Sequence, residues 1–351
     1  MHSPLRSFPR RLTTALRVSV AALALGVASA TLGASGAGVA GAQPAKTPSL
    51  AGVTITFGDQ LKGIQTVFAA TDALKGAPYT VDWANFVGGP PVIAAETSGS
   101  VDLGFMAETP TVFAQAAGDP VKVVAATLGD NPKVSPYDIV VPSGSPIKSV
   151  GQLRGHSVAV QEGTVEQYFL VQELAKAHIP YSAVQIDNLT VTDASTAVAN
   201  GQVPAAVITQ PLTGLDQATG KITVLATGAG VSETIGYLTA SDAALANPQK
   251  AAALSDFIQR YYKAETQLRK NPLLAAQTYV KTYGVTLAVA KEAVASDQGV
   301  GTPITPSIIS YKQNEANTFQ KLGLIANTLN VKQIFDLPFN QTLAKQAGLT
   351  S

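Results

Sequence analysis

Gly99-Ser100-Val101-Asp102-Leu103-Gly104-Phe105-Met106, followed by Pro110, and Gly201-Gln202-Val203-Pro204-Ala205-Ala206-Val207-Ile208, followed by Pro211, are two versions of one local pattern. In each, a Gly turn feeds a short apolar strand, and a proline then stands where the first turn of a helix accepts one. Each half of the chain is therefore expected to present a helix N-terminus beside the carboxyl end of a strand. Any two strand-turn-helix units share some of this, so the echo alone does not make a repeat.

Working outward, Val53-Thr54-Ile55-Thr56-Phe57 alternates with a β-branched bias and stops at Gly58, as a buried strand does. After it Ile64, Val67 and Phe68 fall at helical spacing behind Gly63. The alternation continues through Tyr79 to Trp83, the helix opened by Pro90-Pro91, the strand Val101 to Met106 and the helix opened by Pro110. A second run starts near Val158-Ala159-Val160 and passes through the helix Val165 to Ala177 to the strand Ala205 to Ile208. Alternating strands and helices imply mostly parallel sheets covered on both faces. From Asn247 onward the pattern is helical, over Gln249 to Lys270, Leu273 to Tyr283, Leu287 to Ser296 and Ser307 to Leu322, with no strand strong enough to start a third domain. Phe257, Tyr261 and Tyr262 lie at helical spacing and read as packing or surface residues.

This predicts two doubly wound α/β domains: residues 43–140 with 228–351, and residues 141–227. The helical tail packs on the first, because the strand Ile235 to Ala240 precedes it. The chain then crosses between domains twice, near Tyr137 to Val141 and near Ile222 to Thr227, and such a hinge puts a ligand cleft between the domains.

The 351 residues are 46% hydrophobic and 13% charged, the composition of a packed globular chain. Arg6, Arg10, Arg11 and Arg17 precede the apolar stretch Val18 to Leu25 and an Ala, Gly and Ser tract. This reads as a signal peptide over 1–42, cut after Ala40-Gly41-Ala42. The apolar stretch is short of the roughly 20 residues of a membrane span. Arg10-Arg11 hints at twin-arginine export, but Leu12-Thr13-Thr14 fits that signal poorly. Without residues 1–42, 20 basic residues stand against 23 acidic ones, a net charge near −3, which leaves nothing basic enough to hold nucleic acid. The chain has no cysteine, which excludes disulfides, thiolate metal sites, a cysteine nucleophile and a lipid-modified N-terminal cysteine. A soluble periplasmic or secreted protein, expected as a monomer, follows.

Open α/β sheets bind ligands at the carboxyl ends of their strands. Four loops there supply candidate ligand-binding residues: Gln60, Lys62 and Gly63; Glu108, Thr109 and Pro110; Gly163 and Thr164; Thr209 and Gln210. Glu233, ahead of the strand from Ile235, completes the set. The second and third loops open helices, whose free N–H groups and dipole favour an anion. Thr109 and Thr164 are either hydroxyl donors to a ligand or plain N-caps. Signals of catalysis are poor. His2 leaves with the signal, His156 and His178 lack carboxylates at metal-site spacing, and no nucleophile elbow or Walker loop occurs. Gly36, Gly38 and Gly41 copy a dinucleotide fingerprint inside the signal, after no strand. No cofactor, no metal and no enzymatic activity are expected.

The stretch Gly99 to Gly118, with Glu108-Thr109-Pro110 and Phe113-Ala114-Gln115-Ala116-Ala117-Gly118, and the stretch Val141 to Gly155 resemble the extracellular binding proteins of aliphatic sulfonate importers. These are related to nitrate, taurine and thiamine-precursor binders. The resemblance implies a type II periplasmic-binding-protein fold that closes on one small anionic solute, such as an alkane or aryl sulfonate, and docks on an ABC permease. It puts Glu108, Thr109 and Pro110 on one side of the cleft and Gly163 and Thr164 on the other. Ile208-Thr209-Gln210-Pro211 departs from the aromatic residue and Asp-Pro that many members carry there. The ligand is then expected to differ away from its anionic head. An enzyme on the same fold, acting on a compound like a thiamine precursor, and a secreted sensor subunit are the rival readings.

Overall fold

The computed structural model describes residues 48–129, 131–230, 234–296 and 299–349. The expected signal segment and Glu233 lie outside the described residues. The first run is β1 (Thr54–Gln60), α1 (Gly63–Thr71), β2 (Thr80–Phe86), α2 (Gly89–Thr97), β3 (Leu103–Ala107), α3 (Pro110–Ala117) and β4 (Val121–Gly129). The second is β5 (Tyr137–Pro142), β6 (Ser157–Ala159), α4 (Val165–Lys176), β7 (Gln185–Asp187), α5 (Val191–Ala199), β8 (Ala206–Thr209), α6 (Leu212–Ala218) and β9 (Ile222–Thr227). Then come β10 (Ile235–Ser241), α7 (Asp242–Ala246), α8 (Pro248–Arg269), α9 (Pro272–Tyr283), α10 (Leu287–Ser296), β11 (Gly299–Thr302), α11 (Pro306–Lys321) and α12 (Leu337–Gln346). Proline opens α2, α3, α8, α9 and α11, where its missing N–H costs nothing.

The strands form two sheets, β11-β4-β10-β3-β1-β2 and β7-β6-β8-β5-β9. Neither is mostly parallel as the alternation predicts. β1 pairs parallel with β2 and β3, and β6 with β7 and β8. But β10 runs antiparallel between β3 and β4, and β5 antiparallel between β8 and β9. Each reversed strand arrives by a crossover from the other sheet and so enters from the opposite end. With β11 set aside the two orders coincide, β2-β1-β3-β10-β4 against β7-β6-β8-β5-β9. The stretches from Gly99 and from Gly201 are therefore equivalent: β3 with the turn into α3, and β8 with the turn into α6. A second correction concerns β11, an antiparallel edge on β4 in a segment read from sequence as a break between helices.

The core under the first sheet is aromatic. Phe57, Phe68 and Phe257 are buried, with ring centroids of Phe57–Phe257 and Phe68–Phe257 at 4.9 and 4.8 Å and Trp83 packed beside them. Emptying one such ring position costs about 3–5 kcal/mol. The second sheet buries Ile139, Val158, Phe169, Leu170, Leu174 and Val207. Phe257 and Tyr262 are core residues, and the Tyr262 hydroxyl donates to the Ala126 carbonyl at 2.8 Å. Among the described residues no helix is long and apolar enough to cross a membrane.

Candidate functional site

A cavity of about 260 Å³ lies where the two sheets face each other. The first lobe contributes Gln60 and Gly63 after β1, Gly88 and Gly89 at the head of α2, and Ala107 and Pro110 after β3. The second contributes Gln161, Thr164 and Glu166 around the head of α4, and Thr209, Gln210 and Pro211 after β8. Both crossovers supply wall residues as well, Pro136 and Tyr137 from one and Thr234 and Ile235 from the other.

The helices that begin in this region do not offer their N–H groups equally. At α1 the Asp59 carboxylate accepts from the Ile64 and Gln65 amides at 3.0 and 2.8 Å, so that N-terminus already holds an anion of its own. At α6 the Gln210 side-chain oxygen accepts from the Gly214 amide at 3.2 Å, leaving the Gln210 amide nitrogen as the group it offers the cavity. No side chain caps α2 or α4. The Thr164 hydroxyl instead donates to the Gln161 carbonyl at 2.6 Å. The heads of α2 and α4 come from opposite lobes without a side-chain cap, although Pro90 and Pro91 leave the first turn of α2 only the Gly89 and Val92 N–H groups and the Glu166 carboxyl takes its own N–H at α4.

Two glycines allow those heads to approach. Gly88 has φ +85°, and a Cβ there would stand 2.5 Å from the Gln161 side chain. Gly163 has φ +74°, and its Cβ would touch Pro90 and Phe113 of the other lobe. Side chains are strained at both φ values, and at Gly88 a Cβ also forces the Gln161 side chain to move.

Of the residues picked out from sequence, Gln60, Gly63, Pro110, Thr164, Thr209 and Gln210 line the cavity. Lys62, Glu108, Thr109 and Gly163 do not. Lys62 is exposed, in a left-handed turn ahead of α1. Glu108 and Thr109 are fully buried and belong to an ionic knot with α11. The Thr109 hydroxyl donates to one Glu315 oxygen, and Lys312 donates to the other at 3.2 Å and to the Glu108 carbonyl. Thr109 therefore stands at the N-cap position of α3 without a side-chain cap bond, and it does not line the cavity. Burial, and then the charge of Glu315, hold the Glu108 carboxyl well above the usual carboxylate range, while burial lowers Lys312.

Sequence reasoning missed Gly88, Gly89, Gln161, Glu166 and the whole wall from α8 and α9, which includes Tyr261, Glu265, Arg269, Tyr279 and Tyr283. The pair Gly88-Gly89 before Pro90-Pro91 was the available signal for the first of these. Tyr261, read as packing, does pack on Phe105 and Phe68 but also reaches the cavity. Burial pushes the Glu166 carboxyl upward, against hydrogen bonds from its own backbone and from Thr164. Among the described residues no group of three or more His, Asp or Glu could hold a metal ion.

The chain is similar to a putative aliphatic sulfonates-binding protein of Escherichia coli (strain K12), with 29% identity over 80% of this chain and 87% of that protein. Its fold is shared with the alkanesulfonate-binding protein SsuA of Xanthomonas axonopodis pv. citri, solved bound to MOPS, at a TM-score of 0.75 and 24% identity over 81% of this chain and 98% of that one. The desulfurization enzyme DSZB has the fold too, at a TM-score of 0.62 and 13% identity over 84% of this chain and 99% of that one. These likenesses show the two-domain α/β fold of type II periplasmic binding proteins. The pattern of a family described as NMT1/THI5 like matches residues 88–272, more than half of the chain, and the chain belongs to that family.

Proposed function

We propose that this protein is an extracytoplasmic solute-binding protein of an ABC importer, which captures a small sulfonate-like organic anion and delivers it to the membrane permease. The observation that carries the reading is the pair of uncapped helix heads, α2 and α4, that face one cavity from opposite lobes. The dipoles of both helices and the N–H groups left at their heads, that of Gly89 among them, favour an oxyanion there. Gly88, Gly89 and Thr164 lie at the head of the ligand, and Gln60, Gly63, Pro110, Thr209 and Gln210 surround it. The units that close on it are those expected from sequence, 43–140 with 228–351 and 141–227, with β5 and β9 beside the hinge. The binding function of the E. coli relative supports the ligand class, and a cleaved export signal and a monomeric, periplasmic or secreted protein fit the role.

The shared fold of a desulfurization enzyme favours turnover as the second reading. Against it, the chain has no cysteine, and no histidine is among the described residues that line the cavity. The test is a thermal-shift screen of the purified protein with alkane and aryl sulfonates, taurine, sulfate, nitrate and thiamine precursors, because a ligand that binds only the native state raises its Tm. A selective rise with sulfonates, abolished in Thr164→Phe with the fold intact, is expected. Steady product formation, or sulfonates without effect, sinks the reading.

A further inference from the structure

We propose that the wall built by α8 and α9 is an aromatic subsite, and that it makes an aryl sulfonate the preferred ligand over an alkanesulfonate of similar size. The inference rests on the capture reading above and concerns the end of the ligand away from its anionic head.

The helix heads and strand ends supply backbone amides, hydroxyls and amides of Gln. The tail helices supply something chemically different. Tyr261 on α8 and Tyr279 and Tyr283 on α9 line the cavity together with Phe105 on β3. Their placement is fixed by mutual packing. Tyr279 and Tyr283 sit one helical turn apart with centroids at 5.0 Å and planes at 54°, and Tyr261 meets Phe105 edge-on at 6.0 Å. Tyr279 and Tyr283 are half-buried and line the cavity. Positioned aromatic walls prefer flat π-systems, in offset or edge-to-face contact, beyond what apolar area alone gives. Glu265 and Arg269 on α8 add one charge of each sign to the same wall.

Size agrees. A cavity of about 260 Å³ equals roughly nine water volumes, room for one ring and an anionic head. A two-carbon sulfonate held at the helix heads would leave the tyrosines uncovered.

The experiment is isothermal titration of the purified protein with benzenesulfonate, cyclohexanesulfonate and ethanesulfonate, repeated on Tyr279→Leu and Tyr283→Leu, with circular dichroism as the check on folding. Benzenesulfonate is expected to bind about tenfold tighter than cyclohexanesulfonate. Each leucine variant is expected to lose most of that ratio. Equal binding of the two ring sulfonates, or a ratio unchanged in both folded variants, overturns the subsite and leaves the capture reading standing. Binding of no sulfonate overturns the capture reading and the subsite with it. Should either variant fail to fold, the wild-type ratio decides alone.

Discussion

Glu166 is the residue whose chemistry sits least easily with an anionic ligand, because its carboxyl lines the cavity at the head of α4. Burial raises its pKa, so a neutral form is available to face the ligand, and an anion pushes the equilibrium further that way. Sulfonate affinity is therefore expected to fall severalfold as pH rises through the raised titration of Glu166, and Glu166→Gln is expected to remove that fall. Titration calorimetry at several pH values checks this. A second carboxyl governs stability rather than binding. Glu96 is buried between α2 and the first sheet, accepts from Thr239 at 2.9 Å, and is pushed by burial from 4.5 up to about 8. Its folded pKa lies above the unfolded one, so its stabilisation is fully present below about 4.5 and is lost as pH rises through about 8. Above that window Glu96→Gln is expected to be more stable than wild type by about 2–4 kcal/mol, read from urea unfolding. Neither carboxyl stands out in the sequence, because a burial shift depends on what packs over the group, and that is set by residues far along the chain.

At the scale of elements, the β3–α3 turn and α11 are joined by Lys312, Glu315 and Thr109, all fully buried. Lys312→Met leaves the Glu315 carboxylate buried without its cation. A loss of about 3–5 kcal/mol is expected, largely restored by adding Glu315→Leu, because an apolar pair of similar volume replaces a buried ion pair at little cost. Denaturant midpoints of the single and double variants decide it. This knot also keeps the Glu108 and Thr109 side chains away from the cavity. The loop lies where the sequence puts it, after a strand and before a helix, but only Pro110 reaches the cavity, since α11 captures the two polar side chains. Helices were legible through their 3.6-residue period and proline starts, down to α10 at Leu287–Ser296. The edge strand β11, four residues with glycine at Gly299 and Gly301, has too little apolar pattern to register. Strand direction was hidden too, because it follows from which lobe a strand has just left. The tyrosines of α9 follow ordinary helical spacing, and nothing local separates a cavity-facing ring from a packed one.

For the whole molecule, the lobes meet through Tyr168. This α4 side chain enters an aromatic group with Tyr311 and Phe319 of α11, at centroid distances of 6.3 and 5.5 Å. Gly214 of α6 lies against Val289 of α10, a second point where the lobes touch. Contacts made only when the lobes are together favour the closed population, and ligand affinity scales with that population. Tyr168→Ala is expected to weaken sulfonate binding about 10–100-fold, mostly through faster release, and to enlarge the ligand-free protein. Stopped-flow release rates and small-angle scattering test both halves. Unchanged release would mean that closure does not depend on this ring.

The reversed strands bear on the order of assembly. A chain emerging from its N-terminus completes β1 to β4 early, yet β4 has no neighbour on the β3 side until β10 arrives, after the entire 137–227 segment has passed. The second sheet waits for nothing outside its own stretch. Contacts between distant segments form slowly and leave strand edges bare meanwhile. The later-numbered lobe is thus the one equipped to fold first, and the first lobe spends its youth as an open edge that only its neighbour's completion can close.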